Sequence, residues 1–155
     1  MNNSNRRHPV HLPPREQFNA PVIVFVTVCT KNRKSILADD VAHALLRDAW
    51  VAADSWLIGR YVIMPDHVHL FCAPTTFDAL PLVNWVHFWK SYTSRCWRRR
   101  KDLPIWQRDF WDRQLRRSES YDSKWNYVSE NAVRAGLVST SAVWPYQGEM
   151  NVLRW

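Results

Sequence analysis

RYVIMPDHVHLFC, residues 60–72, is the stretch that decides the fold of this chain. Strand-forming side chains such as Val62, Ile63 and Val68 fill both of its arms, and Pro65 and Asp66 between them have the composition of a tight turn. The pattern predicts a β-hairpin that reverses direction at Pro65-Asp66.

His67 and His69 lie on the second arm of that hairpin. Because successive side chains of a strand point to opposite faces, the two imidazoles share a face, with Cα atoms roughly 7 Å apart. Val68 and Leu70 point the other way, toward a core. The two imidazoles can therefore converge on one metal ion. The same spacing on its own is equally typical of half-buried or surface histidines that bind nothing.

The composition favours one domain with an anionic partner. The 155 residues have the usual length of a single domain with a substantial core, and no internal repeat or long linker is visible. Lys and Arg number 21 against 14 Asp and Glu, which gives a formal net charge of +7. An excess that is mostly arginine favours a polyanion, nucleic acid before membrane, without separating DNA from RNA.

Neither a membrane span nor a disulfide framework is indicated. The longest apolar run, near residues 21–28, is too short to cross a bilayer, and the polar, basic start of the chain lacks the features of a signal peptide. Cys29, Cys72 and Cys96 are odd in number and contain no Cys-x-x-Cys pair. We therefore expect a cytoplasmic protein with reduced cysteines.

The chain divides into three segments. Residues 1–20 carry charge and proline without periodicity, which predicts an arm that is either a disordered terminus or a phosphate contact through Arg6, Arg7 and Arg15. Residues 21–136 are expected to form the single domain. Residues 137–155 read as a loop with aromatic anchors and are expected to pack back on that domain.

The first half of the domain predicts a strand and a helix before the hairpin. Residues 22–28 are β-branched and apolar on both faces, the pattern of a central strand. Asp39 or Asp40 can cap a helix that runs to about residue 53. Its expected apolar stripe passes through Val41, Leu45 and Ala49.

A second helix follows the hairpin. Asp78 can cap it, and it is expected to end near residue 97. Basic residues crowd its C-terminal end over 95–101; one or two would satisfy the helix macrodipole, so the cluster favours a track for phosphates. The expected packed stripe consists of Leu82, Val86, Trp89 and Thr93.

Residues 103–117 interleave aromatic residues with arginines in a short strand or loop. Trp106, Phe110 and Trp111 could stack bases or belong to the core, and the core is favoured for Phe110 and Trp111. Together with a basic loop after the first strand, these segments supply the candidate nucleic-acid contacts beyond the arm: Arg33, Arg95, Arg98, Arg99, Arg100, Lys101, Trp106, Arg108, Arg113, Arg116 and Arg117.

The third predicted helix starts at Ser118 or Ser120 and ends at Gly136, a residue suited to a helix C-terminus. One stripe is expected to pack, and a second, polar stripe contains Tyr127 and Asn131 on the same side. A tyrosine there either covers apolar surface or acts as a nucleophile, with Asn131 as an oxygen ligand beside the histidine pair. The packed stripe is Tyr121, Trp125, Val128, Ala132 and Ala135, and the polar stripe is Lys124, Tyr127, Asn131 and Arg134.

Four stretches in this order resemble the REP-associated tyrosine transposases, a branch of the single-tyrosine transposases in the HUH superfamily of single-strand endonucleases. They are FVTV at 25–28, MPDHVH at 64–69, WQRDFWD at 106–112 and YVSENAVRAG at 127–136. The family usually has proline after the asparagine of the last stretch, where this chain has Ala132.

The resemblance implies an α+β fold, a ferredoxin-like antiparallel sheet of βαββαβ order with a further helix that carries the tyrosine. It implies that His67 and His69 bind a divalent metal, Mg²⁺ or Mn²⁺, with Asn131 as a third ligand, and that Tyr127 is the nucleophile. The expected partner is single-stranded DNA that contains a hairpin, and the expected product is a 5′-phosphotyrosine. The resemblance is compatible with either a monomer or a homodimer.

Tyrosine is a poor nucleophile while protonated. It therefore needs the field of the metal, or a proton acceptor such as Lys124 or a water. Two other interpretations stay open: a DNA-binding regulator without catalysis, and a metal-dependent nuclease that uses water. A relaxase-like rolling-circle initiator is disfavoured, because such proteins usually add a third histidine to the metal site or a second domain, and neither is evident.

Overall fold

The computed structural model describes residues 9, 11, 22–116 and 120–154. One five-stranded antiparallel sheet with the strand order β4-β1-β3-β2-β5 organises the chain. The element order is βαββαβ followed by a helix that carries Tyr127, which confirms the predicted ferredoxin-like α+β fold. The strands are β1 Val24–Cys29, β2 Trp56–Met64, β3 His67–Pro74, β4 Trp111–Gln114 and β5 Gln147–Glu149; the helices are α1 Asp40–Ala52, α2 Leu82–Cys96, α3 Tyr121–Ser129 and α4 Asn131–Arg134.

The central hairpin has the predicted turn. β2 ends at Met64 and β3 begins at His67, with Pro65 and Asp66 as the turn between them. Met64 pairs with His67, and Val62 pairs with His69. On its other side β3 pairs with β1, which places Thr27 opposite His69. Both histidines therefore lie in the middle of the sheet and on one face of it.

The two faces of the sheet are covered by different helices. One face buries Val68 and Leu70 against α1 and α2, with Trp85 and Trp89 completely buried in that core. The other face carries Phe71 and Val62 and is covered by α3 and α4. The histidine pair lies on this second face, because its positions alternate with those of Val68 and Leu70.

Two details of the first helices differ from the sequence predictions. Asp39 caps α1 as predicted, accepting a hydrogen bond from the Ala42 backbone N–H, but Val41 is 65% exposed and does not belong to the packed stripe. The stripe is rotated by one position because Trp50 also has to be buried. Asp78 does not cap α2, which begins only after Pro81; the buried residues of α1 are Ala42, Leu46, Ala49 and Trp50.

The segment after Gly136 contacts the sheet through a strand that the sequence did not predict. β5 pairs with β2 at the sheet edge. The indole N–H of Trp144 donates to the Ile63 carbonyl over 3.0 Å, and Leu153 is buried beside Gly59, where a Cβ would come within 2.6 Å of it. Gly59 thus leaves space for the end of the chain to pack.

None of the helices in the described part of the chain is long and apolar enough to cross a membrane. Cys29, Cys72 and Cys96 are free thiols, as predicted. The predicted arm contacts Arg6, Arg7 and Arg15, and also Arg117, lie outside the described residues.

Candidate active site

His67 and His69 lie side by side on β3, with ring centroids 4.7 Å apart. Each imidazole has an oxygen partner at Nδ1. The Nδ1 of His67 is 2.7 Å from Oδ1 of Asp66, and the Nδ1 of His69 is 2.8 Å from the Thr27 hydroxyl. The carboxylate of Asp66 accepts from Nδ1–H, and the Thr27 hydroxyl can accept in the same way. A proton on Nδ1 leaves the lone pair of Nε2 free, which is the state of a metal-ligating imidazole.

Burial keeps both imidazoles neutral. It lowers the pKa of His67, although Asp66 acts in the opposite direction. Burial, followed by the neighbouring charges of His67, Arg134 and Arg33, lowers the pKa of His69 to about 3. At neutral pH the pair is therefore a neutral nitrogen donor set.

Asp66 is itself held in place by the loop after β1. The guanidinium Nε of Arg33 donates to Oδ2 of Asp66 over 2.8 Å, and the backbone N–H of Thr30 donates to the Asp66 carbonyl over 2.9 Å. Asn32 and Arg33 have φ values of 57° and 52°, in the left-handed region that costs non-glycine residues free energy. This conformation turns Arg33 back toward the hairpin and orients the carboxylate behind His67.

Tyr127 projects from α3 toward solvent and is 68% exposed. α3 is held on the sheet by Val128, which is buried, and by Tyr121, whose ring meets that of Phe71 at a centroid distance of 4.9 Å. The predicted packed stripe is present in these residues and in Ala132, but Ala135 is exposed. The tyrosine thus lies on an anchored helix with its hydroxyl accessible.

The predicted third helix is divided at Glu130. α3 ends at Ser129, and α4 starts at Asn131 after Glu130 adopts φ −77° and ψ −1°. The division occurs although the residue after Asn131 is alanine, Ala132, and not proline. Across it the predicted polar stripe is continuous: Nη2 of Arg134 donates to Oδ1 of Asn131 over 2.9 Å, and its guanidinium lies 4.3 Å from the centre of the Tyr127 ring.

The histidine pair supplies only two ligands for a divalent ion, so a third ligand has to come from a residue other than His, Cys, Asp or Glu. Among the residues that the structure describes, no group of three or more His, Cys, Asp or Glu side chains could hold a metal. Two neutral imidazoles and the amide oxygen of Asn131 are compatible with Mg²⁺ or Mn²⁺, and they leave the full charge of the ion available.

The described basic candidates for DNA contact all have exposed side chains. Two of them are also paired with carboxylates, Arg33 with Asp66 and Arg99 with both Asp39 and Asp102. The exposed set is Arg33, Arg95, Arg98, Arg99, Arg100, Lys101, Arg108, Arg113 and Arg116.

The aromatic candidates change roles. Trp106 is only 8% exposed and its indole N–H donates to the Thr93 hydroxyl, so it belongs to the core and the prediction that it contacts DNA was wrong. Phe110 is buried, as predicted. Trp111 was predicted to be core but is 52% exposed, on the same sheet face as the histidine pair, because it pairs with Thr27 at the edge strand.

Two residues of the site were not predicted. Thr27 carried no signal, since its position opposite His69 depends on the register between β1 and β3. Asp66 was assigned only to the turn, although its place directly before the first histidine could have suggested a carboxylate partner for that imidazole.

Comparison with known proteins gives consistent matches. A family model described as "Transposase IS200 like" matches residues 21–130. The REP-associated tyrosine transposase of Escherichia coli (strain K12) is 27% identical over 125 residues, which cover 79% of this chain and 73% of that protein.

Two solved structures share the fold. A REP-associated tyrosine transposase bound to a REP hairpin superposes with a TM-score of 0.67 and 26% identity, covering 86% of this chain and 79% of that one. A putative transposase from Deinococcus radiodurans R1 superposes with a TM-score of 0.52 and 21% identity over 77% of this chain and 97% of that one, a likeness of fold alone.

Proposed function

The chain belongs to the IS200-like transposase family, and on that premise we propose that it nicks and rejoins single-stranded, hairpin-containing DNA through Tyr127. The family indicated by the four sequence stretches is thereby confirmed. The observation that carries the proposal is an exposed tyrosine in contact with Arg134, which in turn bonds Asn131, on the sheet face that holds the neutral histidine pair.

In the proposed reaction the phenol oxygen of Tyr127 attacks a backbone phosphorus. A Tyr127 O–P bond forms as the bond from phosphorus to the 3′-oxygen breaks, and that oxygen takes up a proton to become a 3′-hydroxyl. The phenol proton passes to an acceptor. The 5′-phosphotyrosine retains the energy of the broken ester, so the reverse attack by a 3′-hydroxyl rejoins DNA without ATP.

His67, His69 and Asn131 would hold a Mg²⁺ or Mn²⁺ ion. When bound, such an ion polarises the phosphate and neutralises the charge on its non-bridging oxygens. Asp66 and Thr27 would orient the two imidazoles, so that each presents Nε2 to the ion. Asn131 has a second lone pair on Oδ1 besides the one that accepts from Arg134.

Lys124 is the protein's candidate acceptor for the phenol proton. It precedes Tyr127 by three residues on α3, a separation that places both side chains on the same side of the helix. A lysine can accept the phenol proton only as the neutral amine, because the ammonium has no lone pair. Water is the alternative acceptor.

The substrate class follows from the relatives and from the charge. A structure similar to this one contains a REP-associated tyrosine transposase bound to a REP hairpin, and we extend hairpin binding to this chain. Exposed Arg113 and Trp111 lie on the histidine face of β4 and are suited to a backbone phosphate and a stacked base. Binding is expected to weaken with salt, by roughly 0.7 logarithmic units per neutralised phosphate for each tenfold rise in salt concentration.

The test uses labelled single-stranded hairpins from the flanks of the gene that encodes the chain, incubated with Mn²⁺ or with EDTA. A denaturing gel is expected to show a metal-dependent protein–DNA band with the wild type and none with Tyr127→Phe. Cleavage without that band would indicate a nuclease that uses water, and binding without cleavage would indicate a regulator; either outcome contradicts the proposal.

A further inference from the structure

Arg134 contacts both groups that are proposed to act beside the histidine pair. Its guanidinium lies 4.3 Å from the centre of the Tyr127 ring, and Nη2 donates to Oδ1 of Asn131 over 2.9 Å. The guanidinium is therefore within electrostatic reach of the nucleophile and in direct contact with the proposed oxygen ligand.

The length and direction of the Arg134 side chain explain how it reaches Tyr127. Residues seven apart project from nearly the same side of a helix but are about 10 Å apart along its axis. Arginine is long, and helical side chains lean toward the N-terminus of their helix. Arg134 on α4 thus extends back over α3 and covers the tyrosine ring.

The donor capacity of Arg134 is only partly used. A guanidinium has several N–H donors, of which one bonds Asn131. Within the part of the chain that the structure describes, no carboxylate forms an ion pair with Arg134, whereas Arg33 has one such partner and Arg60 and Arg99 have two each. The side chain is also exposed. An exposed guanidinium that has no carboxylate partner among the described residues and lies beside a nucleophile is suited to bind an anion.

We propose that Arg134 binds a non-bridging oxygen of the phosphate that Tyr127 attacks, an assignment that rests on the tyrosine reaction proposed above. The planar fork of arginine matches two oxygens of a phosphate. Negative charge grows on those oxygens as the Tyr127 O–P bond forms, so the contact is stronger in the transition state than in the bound substrate. The same contact holds the phosphate after it is attached to Tyr127.

A purely supporting role for Arg134 is the alternative. In that case the guanidinium only keeps Tyr127 and Asn131 in position, and Arg134→Ala lowers activity as well. Loss of activity therefore does not separate the two roles. A substrate whose attacked phosphate carries no charge does separate them, because a guanidinium has little left to neutralise there.

The experiment measures single-turnover rates of adduct formation on two substrates. Wild-type protein and hairpin DNA with Mn²⁺ first locate the nick; a second substrate then carries a methylphosphonate at that position, in which a methyl group replaces one charged oxygen. On ordinary DNA, Arg134→Ala is expected to slow the adduct by about 10²–10³-fold. On the methylphosphonate, the ratio of wild type to Arg134→Ala is expected to fall to about tenfold or less.

Two variants serve as controls. Arg134→Lys keeps the positive charge but lacks the planar fork of the guanidinium. Its rate of adduct formation on ordinary DNA is expected to lie between those of the wild type and Arg134→Ala. Arg154→Gln removes an exposed arginine outside the site and is expected to match the wild type. Because Arg134 is exposed, thermal unfolding of its variants is expected to match that of the wild type.

The outcomes are distinct. The same fold-loss on both substrates would overturn the phosphate contact and leave Arg134 as a support. Weaker Mn²⁺ binding by Arg134→Ala, detected by electron paramagnetic resonance, would also overturn it and assign the arginine to the ion site through Asn131. A wild type that forms no adduct on ordinary DNA would overturn the tyrosine reaction itself, and this assignment with it.

Discussion

Oδ1 of Asp66 lies 2.7 Å from Nδ1 of His67, so a residue of the hairpin turn orients the first imidazole of the pair. The other oxygen of that carboxylate accepts a hydrogen bond from Arg33 over 2.8 Å. A carboxylate behind a ligating imidazole fixes the ring and increases its basicity. The turn that reverses the chain and the candidate ion site are therefore one structural unit.

Replacing Asp66 by alanine should weaken Mn²⁺ binding by about 10–100-fold, the usual effect of losing such a partner of a ligating histidine. Titration of free Mn²⁺ by electron paramagnetic resonance measures the affinity. Asp122→Asn removes a carboxylate that pairs with Arg60 outside the site and should leave the affinity unchanged. Equal affinities in wild type and Asp66→Ala would show that the carboxylate does not act on the ion site.

Replacing Thr27 by valine keeps the shape of the side chain and removes the hydroxyl 2.8 Å from Nδ1 of His69. Thr27→Val leaves a part-buried imidazole nitrogen without its hydrogen-bond partner. The substitution should therefore lower the free energy of unfolding by about 1–3 kcal/mol and also weaken Mn²⁺ binding. Urea unfolding measures the first effect. Thr27→Ser, which keeps a hydroxyl, should recover most of both losses; if it behaves like Thr27→Val, the hydrogen bond is not what matters.

Trp111 and Trp106 should respond in opposite ways to substitution by alanine. Trp106 is buried, so its loss should lower the free energy of unfolding by about 3–5 kcal/mol. Trp111 is exposed beside the site, so its loss should leave stability nearly unchanged and weaken single-strand binding by about 1–3 kcal/mol. Urea unfolding measures the stability of both variants, and fluorescence anisotropy measures their affinity for single-stranded DNA. Full DNA affinity in Trp111→Ala would exclude base stacking there.

Acid should destabilise the metal-free protein through His69. Burial and neighbouring charges lower its pKa to about 3 from an ordinary value of 6.5. Between those two values the unfolded chain binds the proton and the folded chain does not, so stability rises with pH. The contribution is complete above pH 6.5 and is lost as the pH falls toward 3.

The measurement for this effect is urea unfolding in EDTA at pH 7 and pH 4.5. The loss of stability between the two pH values should be smaller in His69→Gln than in the wild type, by about 2 kcal/mol. An equal loss in both proteins would mean that His69 titrates normally in the folded chain.

The features predicted correctly depend on short-range patterns. The turn at Pro65-Asp66, the shared face of His67 and His69, and the polar stripe with Tyr127 follow from spacings of two, three or four residues along one element. The order of these elements, together with the family resemblance, is sufficient to predict the ferredoxin-like fold.

The features that the sequence did not predict depend on contacts between distant segments. Thr27 meets His69 only through strand register, and β5 is a short edge strand whose pairing with β2 has little local signal. Trp111 is exposed because β4 is an edge strand, and Val41 is exposed because the larger Trp50 determines which side of α1 is buried. The division at Glu130 occurs without proline or glycine, the residues that usually indicate one.

The central claim, that Tyr127 is the nucleophile, is tested most directly by mass spectrometry of the trapped adduct. After nuclease and trypsin treatment, the peptide WNYVSENAVR, residues 125–134, contains Tyr127 as its sole tyrosine. The account predicts that this peptide from the wild type carries a nucleotide attached through a 5′-phosphate, with fragmentation assigning it to Tyr127, in Mn²⁺ and not in EDTA. A nucleotide on Ser129 or on any other peptide, or nicked DNA with every peptide unmodified, would contradict it.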